Sequence, residues 1–256
     1  MHPSERNPVS KTLRALSLMV ESEKPQIGVR QLAGAMNIAP SSAHRILAAL
    51  AEAGFVRRDS SSQRYTLTTE FFRVSQRAAA MSPLRRAGLA ALRRLVDACG
   101  ESALLGVYDD ARHEMLFAAG VDAAHAARSA IRMNEWLPVR TGASGLAILA
   151  FLDEAERRSV IAQSGLCGRQ SPGSIAQQQL DADLATVRRQ GFAYTRCQWV
   201  AGAVGIAAPI FDRRGKVMGD VCVTIPQARA DDGSKERLVD AMRRCVDDIT
   251  SRIRAA

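Results

Sequence analysis

No stretch of this 256-residue chain is apolar for long enough to cross a membrane. The longest candidate, 201–211, holds two glycines and a proline and falls well short of the roughly 20 residues of a spanning helix. The N-terminus, MHPSERNPVSK, lacks the apolar core of a signal peptide, which points to a cytoplasmic protein. The five cysteines (Cys99, Cys167, Cys197, Cys222 and Cys245) are odd in number and form no CxxC pair, so neither a disulfide framework nor a compact zinc site is supported. A nucleophile elbow, a phosphate loop, HExxH and paired-carboxylate motifs are all absent, and the four histidines are scattered. That argues against an enzyme and calls for no cofactor or metal. Internal repeats and low-complexity segments are missing too.

What is present is an uneven charge. The net +9 divides into +3 over residues 1–70, +5 over 71–98 and +1 over 99–256. A basic segment joined to a near-neutral body is expected where only the first part meets a polyanion. With 47% hydrophobic and 24% charged residues, the chain has the balance of a globular protein and enough apolar material for two cores.

The apolar spacing predicts three short helices. The first is capped by Ser10 and carries Leu13, Leu16, Met19 and Val20; the second covers 28–36; the third begins at Pro40, buries Ile46, Leu47 and Leu50 and ends at Gly54. Two short strands around the polar turn 59–63 then make a β-hairpin. Three helices and a hairpin are the layout of a winged helix-turn-helix. Helices follow at 70–80 and 84–98, on either side of Ser82-Pro83. Beyond them, strands are expected at 102–108, 114–119, 128–133, 192–197, 203–211 and 217–225, and helices at 143–152, 153–164, 177–190 and 232–254. The fold class is therefore α/β (α+β), in three parts: a winged helix-turn-helix over 1–69, a linker helix over 70–83, and a mixed-sheet domain over 84–256.

In a helix-turn-helix the start of the second helix of the motif enters the major groove. Here that start reads Pro40-Ser41-Ser42-Ala43-His44-Arg45. Ser41 and Ser42 can donate to phosphates and let the helix approach closely, or simply cap its free N–H groups. Arg45 suits a guanine edge or a phosphate, and His44 the same more weakly. Arg57, Arg58 and Arg64 flank the hairpin tip, where a wing would meet the backbone of double-stranded DNA, although charges on a hairpin also serve solvation.

At this point the chain resembles a known family. Lys11-Thr12-Leu13-Arg14-Ala15-Leu16, residues 41–50, Gly54-Phe55-Val56 and Tyr65-Thr66-Leu67 look like the DNA-binding half of IclR-type regulators, named for the isocitrate lyase regulator. Residues 137–145, Leu-Pro-Val-Arg-Thr-Gly-Ala-Ser-Gly, and 202–212, Gly-Ala-Val-Gly-Ile-Ala-Ala-Pro-Ile-Phe-Asp, resemble motifs of the family's second half. The resemblance spans about residues 10–254. It implies a GAF-like effector domain, a homodimer or homotetramer, and regulation by a small metabolite, often an organic acid.

Two features point to an effector pocket. Small residues around Ala143 and Ser144 open a helix, leaving backbone N–H groups and a hydroxyl for an anion, or else letting the helix pack closely on a sheet. Cys222 and Thr224 share one face of their strand, since side chains alternate. By resemblance that face lines the cavity, with Thr195, Ala203 and Gly205 from neighbouring strands and Met133 across from them. Trp199 suggests an aromatic wall or lid, or else a subunit interface. The sequence departs from the family at Leu146, where a lysine is common, and at Cys197-Gln198, which replaces an acidic or Gly-Glu step. A redox- or metal-sensing regulator using Cys197 and Cys222 is the alternative.

Overall fold

The computed structural model describes residues 7–123, 132–139, 142–166, 177–198 and 201–255. The chain parts after Met81 into two compact units.

The first unit opens with α1 (Pro8–Glu21), α2 (Val29–Met36) and α3 (Pro40–Glu52). The cap of α1 is Asn7, not Ser10: the Asn7 carboxamide accepts from the Val9 N–H at 2.9 Å and Pro8 follows it at the first helical turn. A cap followed at once by proline outcompetes a serine three residues on. The buried face is shifted from the expected one: Met19 is inside and Leu16 packs on the core, but Ala15 joins them while Leu13 and Val20 are 60% and 54% exposed. Asn37 takes the left-handed conformation that ends α2, at φ 53°, a conformation asparagine tolerates better than most residues. The strands β1 (Val56–Arg58) and β2 (Tyr65–Leu67) pair antiparallel, and Ile27 adds a third rung by exchanging both backbone hydrogen bonds with Tyr65, at 2.9 and 2.8 Å. Ile27, Tyr65 and Val56 complete the core that the three helices build. The helix α4 (Thr69–Met81) buries none of its residues.

The second unit begins with α5 (Pro83–Cys99), capped by Ser82 and stopped by Gly100 in the left-handed region. A six-stranded sheet follows, built from β3 (Ala103–Asp109), β4 (Glu114–Val121), β5 (Leu137–Pro138), β6 (Ala193–Arg196), β7 (Ala203–Phe211) and β8 (Val217–Pro226). Its order is β5-β4-β3-β8-β7-β6 and every pairing is antiparallel. The mixed α/β domain expected from the sequence is thus built on an antiparallel sheet. β3–β4 and β7–β8 are joined by short turns, which allow only antiparallel neighbours. Of the expected strand 128–133, only 132 and 133 are described, and they do not lie in a strand.

The alternation of side chains along these strands feeds two cores. One face, with Leu105, Ile206, Val221 and Val223, packs on α5 and α9 (Asp232–Ala255). The other, with Leu104, Phe117, Ala207 and Cys222, packs under α6 (Gly142–Leu149), α7 (Glu154–Leu166) and α8 (Gln177–Gln190). Every residue of α6 is buried, as a helix apolar all round must be. It lies so close to the preceding chain that a Cβ on Gly145 would stand 2.8 Å from both the carbonyl carbon and oxygen of Val139. Alanine gains about 1 kcal/mol over glycine in a helix, but backbone atoms cannot rotate away. Gly145→Ala should therefore destabilise the second unit by roughly 1–3 kcal/mol, the cost of overpacking. Urea unfolding followed by tryptophan fluorescence would show it, and a stabilised variant would mean that Val139 yields freely.

Candidate functional site

The face of α3 alternates between the core and solvent at helical spacing. Ala43, Ile46 and Leu47 point inward, which leaves Ser41, His44 and Arg45 exposed and Ser42 half-buried. Neither serine caps the helix, because Ala39 holds the cap position and makes no side-chain bond there. Among the described residues none of these four side chains has a partner, so their polar groups are open to a ligand. The wing behaves unevenly. Arg57 and Arg58 are exposed, and Arg58 lies 5.9 Å from the Tyr65 ring centre. Arg64 instead turns back into its own unit, donating to the Gln26 carbonyl at 3.0 Å and the Gln31 side chain at 2.8 Å. It fastens the wing to the segment before α2. Sequence alone offered no signal for this, since Gln26 and Gln31 are remote in the chain. At the tip Asp59 accepts from Ser61 and Ser62, and these bonds hold its carboxyl below the usual range.

In the second unit a cleft opens between the N-terminal turn of α6 and the sheet. Gly142, Ala143 and Ser144 form one wall, Thr195, Ala203 and Gly205 a second, and Cys222 and Thr224 the floor. Met115 and Phe117 of β4, Leu137 and Pro138 of β5, and Gln198 close it. Seven sequence-selected residues thus meet in one cavity. Met133 does not join them: it sits in the turn before β5, 38% exposed, and its Cε lies 3.8 Å from where a Gly120 Cβ would be. Trp199 lies outside the described residues. A Cβ at Gly205 would stand 3.2 Å from both the Ala143 Cβ and the Thr195 hydroxyl, so glycine there keeps the cleft open.

The cleft is mainly apolar, with a few polar atoms set into it. Ser144 Oγ and Gln198 Oε1 are buried and without a hydrogen-bond partner. The first-turn N–H groups of α6 have no helical acceptor, and the helix dipole adds a partial positive charge there. Cys222 is a poor thiolate, since burial and then the nearby Asp220 push its thiol up to about 12. Cys197 is exposed, with its Sγ 3.1 Å from Gln227 Oε1.

One residue missed in the sequence lies just beyond this floor. Asp220 precedes Cys222 on the same face of β8 and is fully buried, with no partner for either oxygen. Burial pushes its carboxyl up to about 7, against a smaller opposing effect of Ser144. Its phase with Cys222 and Thr224 can be read from the strand, but its burial cannot, because that depends on Gly106 opposite it on β3.

Comparison with known proteins agrees with both units. Residues 76–251 match the model of the bacterial transcriptional regulator IclR C-terminal domain, and residues 8–60 that of the IclR helix-turn-helix domain. The HTH-type transcriptional regulator KdgR of Dickeya chrysanthemi is 24% identical over 232 residues, covering 90% of this chain and 75% of its own length. The transcriptional repressor IclR of Escherichia coli is 24% identical over 224 residues, 88% of this chain and 81% of its own. A crystal structure of an IclR homolog from Microbacterium hydrocarbonoxydans, complexed with 4-hydroxybenzoate, superposes with a TM-score of 0.82 at 23% identity, covering 98% of this chain and 100% of that one. With its helix-turn-helix in the first unit and the regulator domain in the second, this chain belongs to the IclR family of bacterial transcriptional regulators.

Proposed function

We propose that this regulator binds a small organic carboxylate in the cleft beside α6, and that occupancy sets its affinity for a DNA operator. The observation that carries the reading is the pair of unpartnered polar atoms, Ser144 Oγ and Gln198 Oε1, set in an otherwise apolar cavity beside the start of a helix. The carboxylate meets the N–H groups near Ala143 and Ser144. Thr195, Cys222 and Thr224 contact its body, with Ala203 and Gly205 shaping the far wall. The 4-hydroxybenzoate held by the Microbacterium homolog is of the same chemical class, and Gln198 Oε1 is suited to accept from a distal hydroxyl.

Residues 1–69 read the DNA, 70–83 serve as a linker and 84–256 hold the effector. Ser41, Ser42, His44 and Arg45 face the major groove, and Arg57 and Arg58 the phosphates. One recognition helix spans only a few base pairs, so a dimer or a dimer of dimers on half-sites one helical turn apart supplies the specificity.

A thermal-shift screen of aromatic and aliphatic monocarboxylates, beginning with 4-hydroxybenzoate, followed by calorimetry, tests the pocket. At least one acid should bind, and Ser144→Ala should weaken it about 10- to 100-fold, the worth of one hydrogen bond to a charged group. Unchanged affinity in that variant would place the ligand elsewhere.

A further inference from the structure

Among the described residues, Asp220 is the only carboxylate whose two oxygens are both buried without a hydrogen-bond partner. Its side chain lies over β3, where Gly106 is its partner in the ladder. A Cβ on Gly106 would stand 1.8 Å from Asp220 Oδ1, and 3.0 Å from the Cε of Met115, a residue of the cleft wall. The carboxyl is therefore sealed just behind that wall. The polar side chain that acts on it is Ser144, whose own Oγ lines the cleft and is also unpartnered. The two are close enough to interact but are not in hydrogen-bond geometry in the structure, and a turn of the serine hydroxyl decides which way it points.

We propose that Asp220 is a positioning residue of the effector pocket that works as a proton holder: it acts through the Ser144 hydroxyl, so that an organic anion is taken up together with a proton. The inference rests on the carboxylate reading of the cleft. With Asp220 protonated, its O–H donates to Ser144 Oγ and the serine proton is free to donate to the ligand carboxylate. With Asp220 ionised, it draws the serine proton to itself and sets a second negative charge beside the ligand in a dry enclosure, where like charges repel most. Ligand and proton therefore favour each other.

Among the described residues the surroundings leave this titration to Asp220 alone. β3 presents Gly106 and Tyr108, β4 presents Met115 and Phe117, β7 contributes Pro209 opposite Asp220 and Ala207 opposite Cys222, and α6 offers only Ser144. On β8 itself the neighbour is Cys222, whose thiol burial keeps protonated. The Tyr108 hydroxyl donates to Glu156 at 3.0 Å, and that carboxylate is faced by Lys216 at 3.6 Å. Among the described residues no cation stands against Asp220 to hold it ionised: burial and Ser144 are what act on it.

The test uses the full-length protein, with benzoate and 4-hydroxybenzoate as probes because both carboxylates stay ionised from pH 6 to 9. Calorimetry at pH 6, 7 and 8, in buffers of different ionisation heat, reads affinity and proton uptake together. Wild type should take up about half a proton per site near neutrality, and its dissociation constant should rise about tenfold per pH unit above that. Asp220→Asn, which stays neutral, should bind with no proton uptake and with a dissociation constant that varies less than about twofold over the same range. Binding by wild type with equal affinity at pH 6 and 8 and no proton uptake would overturn the proton coupling while leaving the pocket assignment standing. Failure of both acids to bind at pH 6, where Asp220 carries its proton, would overturn the pocket reading and this inference with it. Should the asparagine variant fail to fold, the wild-type proton count alone decides.

Discussion

Between about pH 4 and pH 8 the stability of the second unit should swing in favour of Asp220→Asn over wild type by up to about 4 kcal/mol. Asp220 titrates near 3.8 in the unfolded chain and near 7 in the fold, because burial disfavours its charged form. Between those values the folded protein holds a proton that the unfolded chain has released. Wild-type stability therefore falls as pH rises through that window and levels off above it. Each unit of difference is worth roughly 1.4 kcal/mol, and the group is fully buried, so solvent screening takes little away. Asparagine has no such dependence, although its amide brings a constant cost for its own buried donors. Both tryptophans of the chain, Trp136 and Trp199, belong to the second unit, so their fluorescence in urea reports that unit alone. Parallel stability curves for the two proteins would show that Asp220 is already ionised in the fold.

DNA affinity should fall about a thousandfold between 50 and 200 mM salt if a dimer makes roughly six phosphate contacts. The expectation follows from the +8 carried by residues 1–98 and from the exposed, unpartnered face of α3. The two kinds of contact separate by mutation. Arg45→Ala should cost about 1–3 kcal/mol on the operator and far less on random DNA, since a base contact discriminates. Arg57→Ala and Arg58→Ala should weaken both DNAs alike and each lower the salt slope by about one. Arg64→Ala should act chiefly on the fold, through the lost bonds to Gln26 and Gln31. Fluorescence anisotropy with operator and random duplexes distinguishes them, and equal affinity of wild type and Arg45→Ala for both would refute recognition by α3.

Local pattern carried the sequence reading furthest where one period dominates. The strand at 203–211 and the helix at 177–190 were legible to the residue, because their apolar spacing is unbroken and glycine or proline punctuates their ends. The cleft was half legible. Cys222 and Thr224 share a face by strand geometry, and Ala143 and Ser144 announce a helix start. Met115 and Phe117 alternate just as plainly, but nothing local says that β4 lies on the same wall as α6; that depends on the β3–β4 and β3–β8 pairings. Asp220 was hidden by a different cause. Its burial depends on an empty position opposite, on a strand more than a hundred residues earlier, and no window of sequence spans both. The misreadings in α1 were local contests, in which Asn7-Pro8 outcompeted Ser10 and Ala15 displaced Leu13 from the core.

The vacancy above Gly106 also constrains how this protein can change over generations. An oxygen of Asp220 occupies the space where any side chain at 106 would begin, so no larger residue is admitted at 106 while the aspartate remains. The reverse order is open: once position 220 has shrunk, alanine at 106 is accommodated. With that methyl in place, a return to aspartate meets a clash that was not there when it left. The two sites thus form a ratchet. A lineage that gives up the acid and then fills the gap loses a buried carboxyl that a single later substitution will not restore.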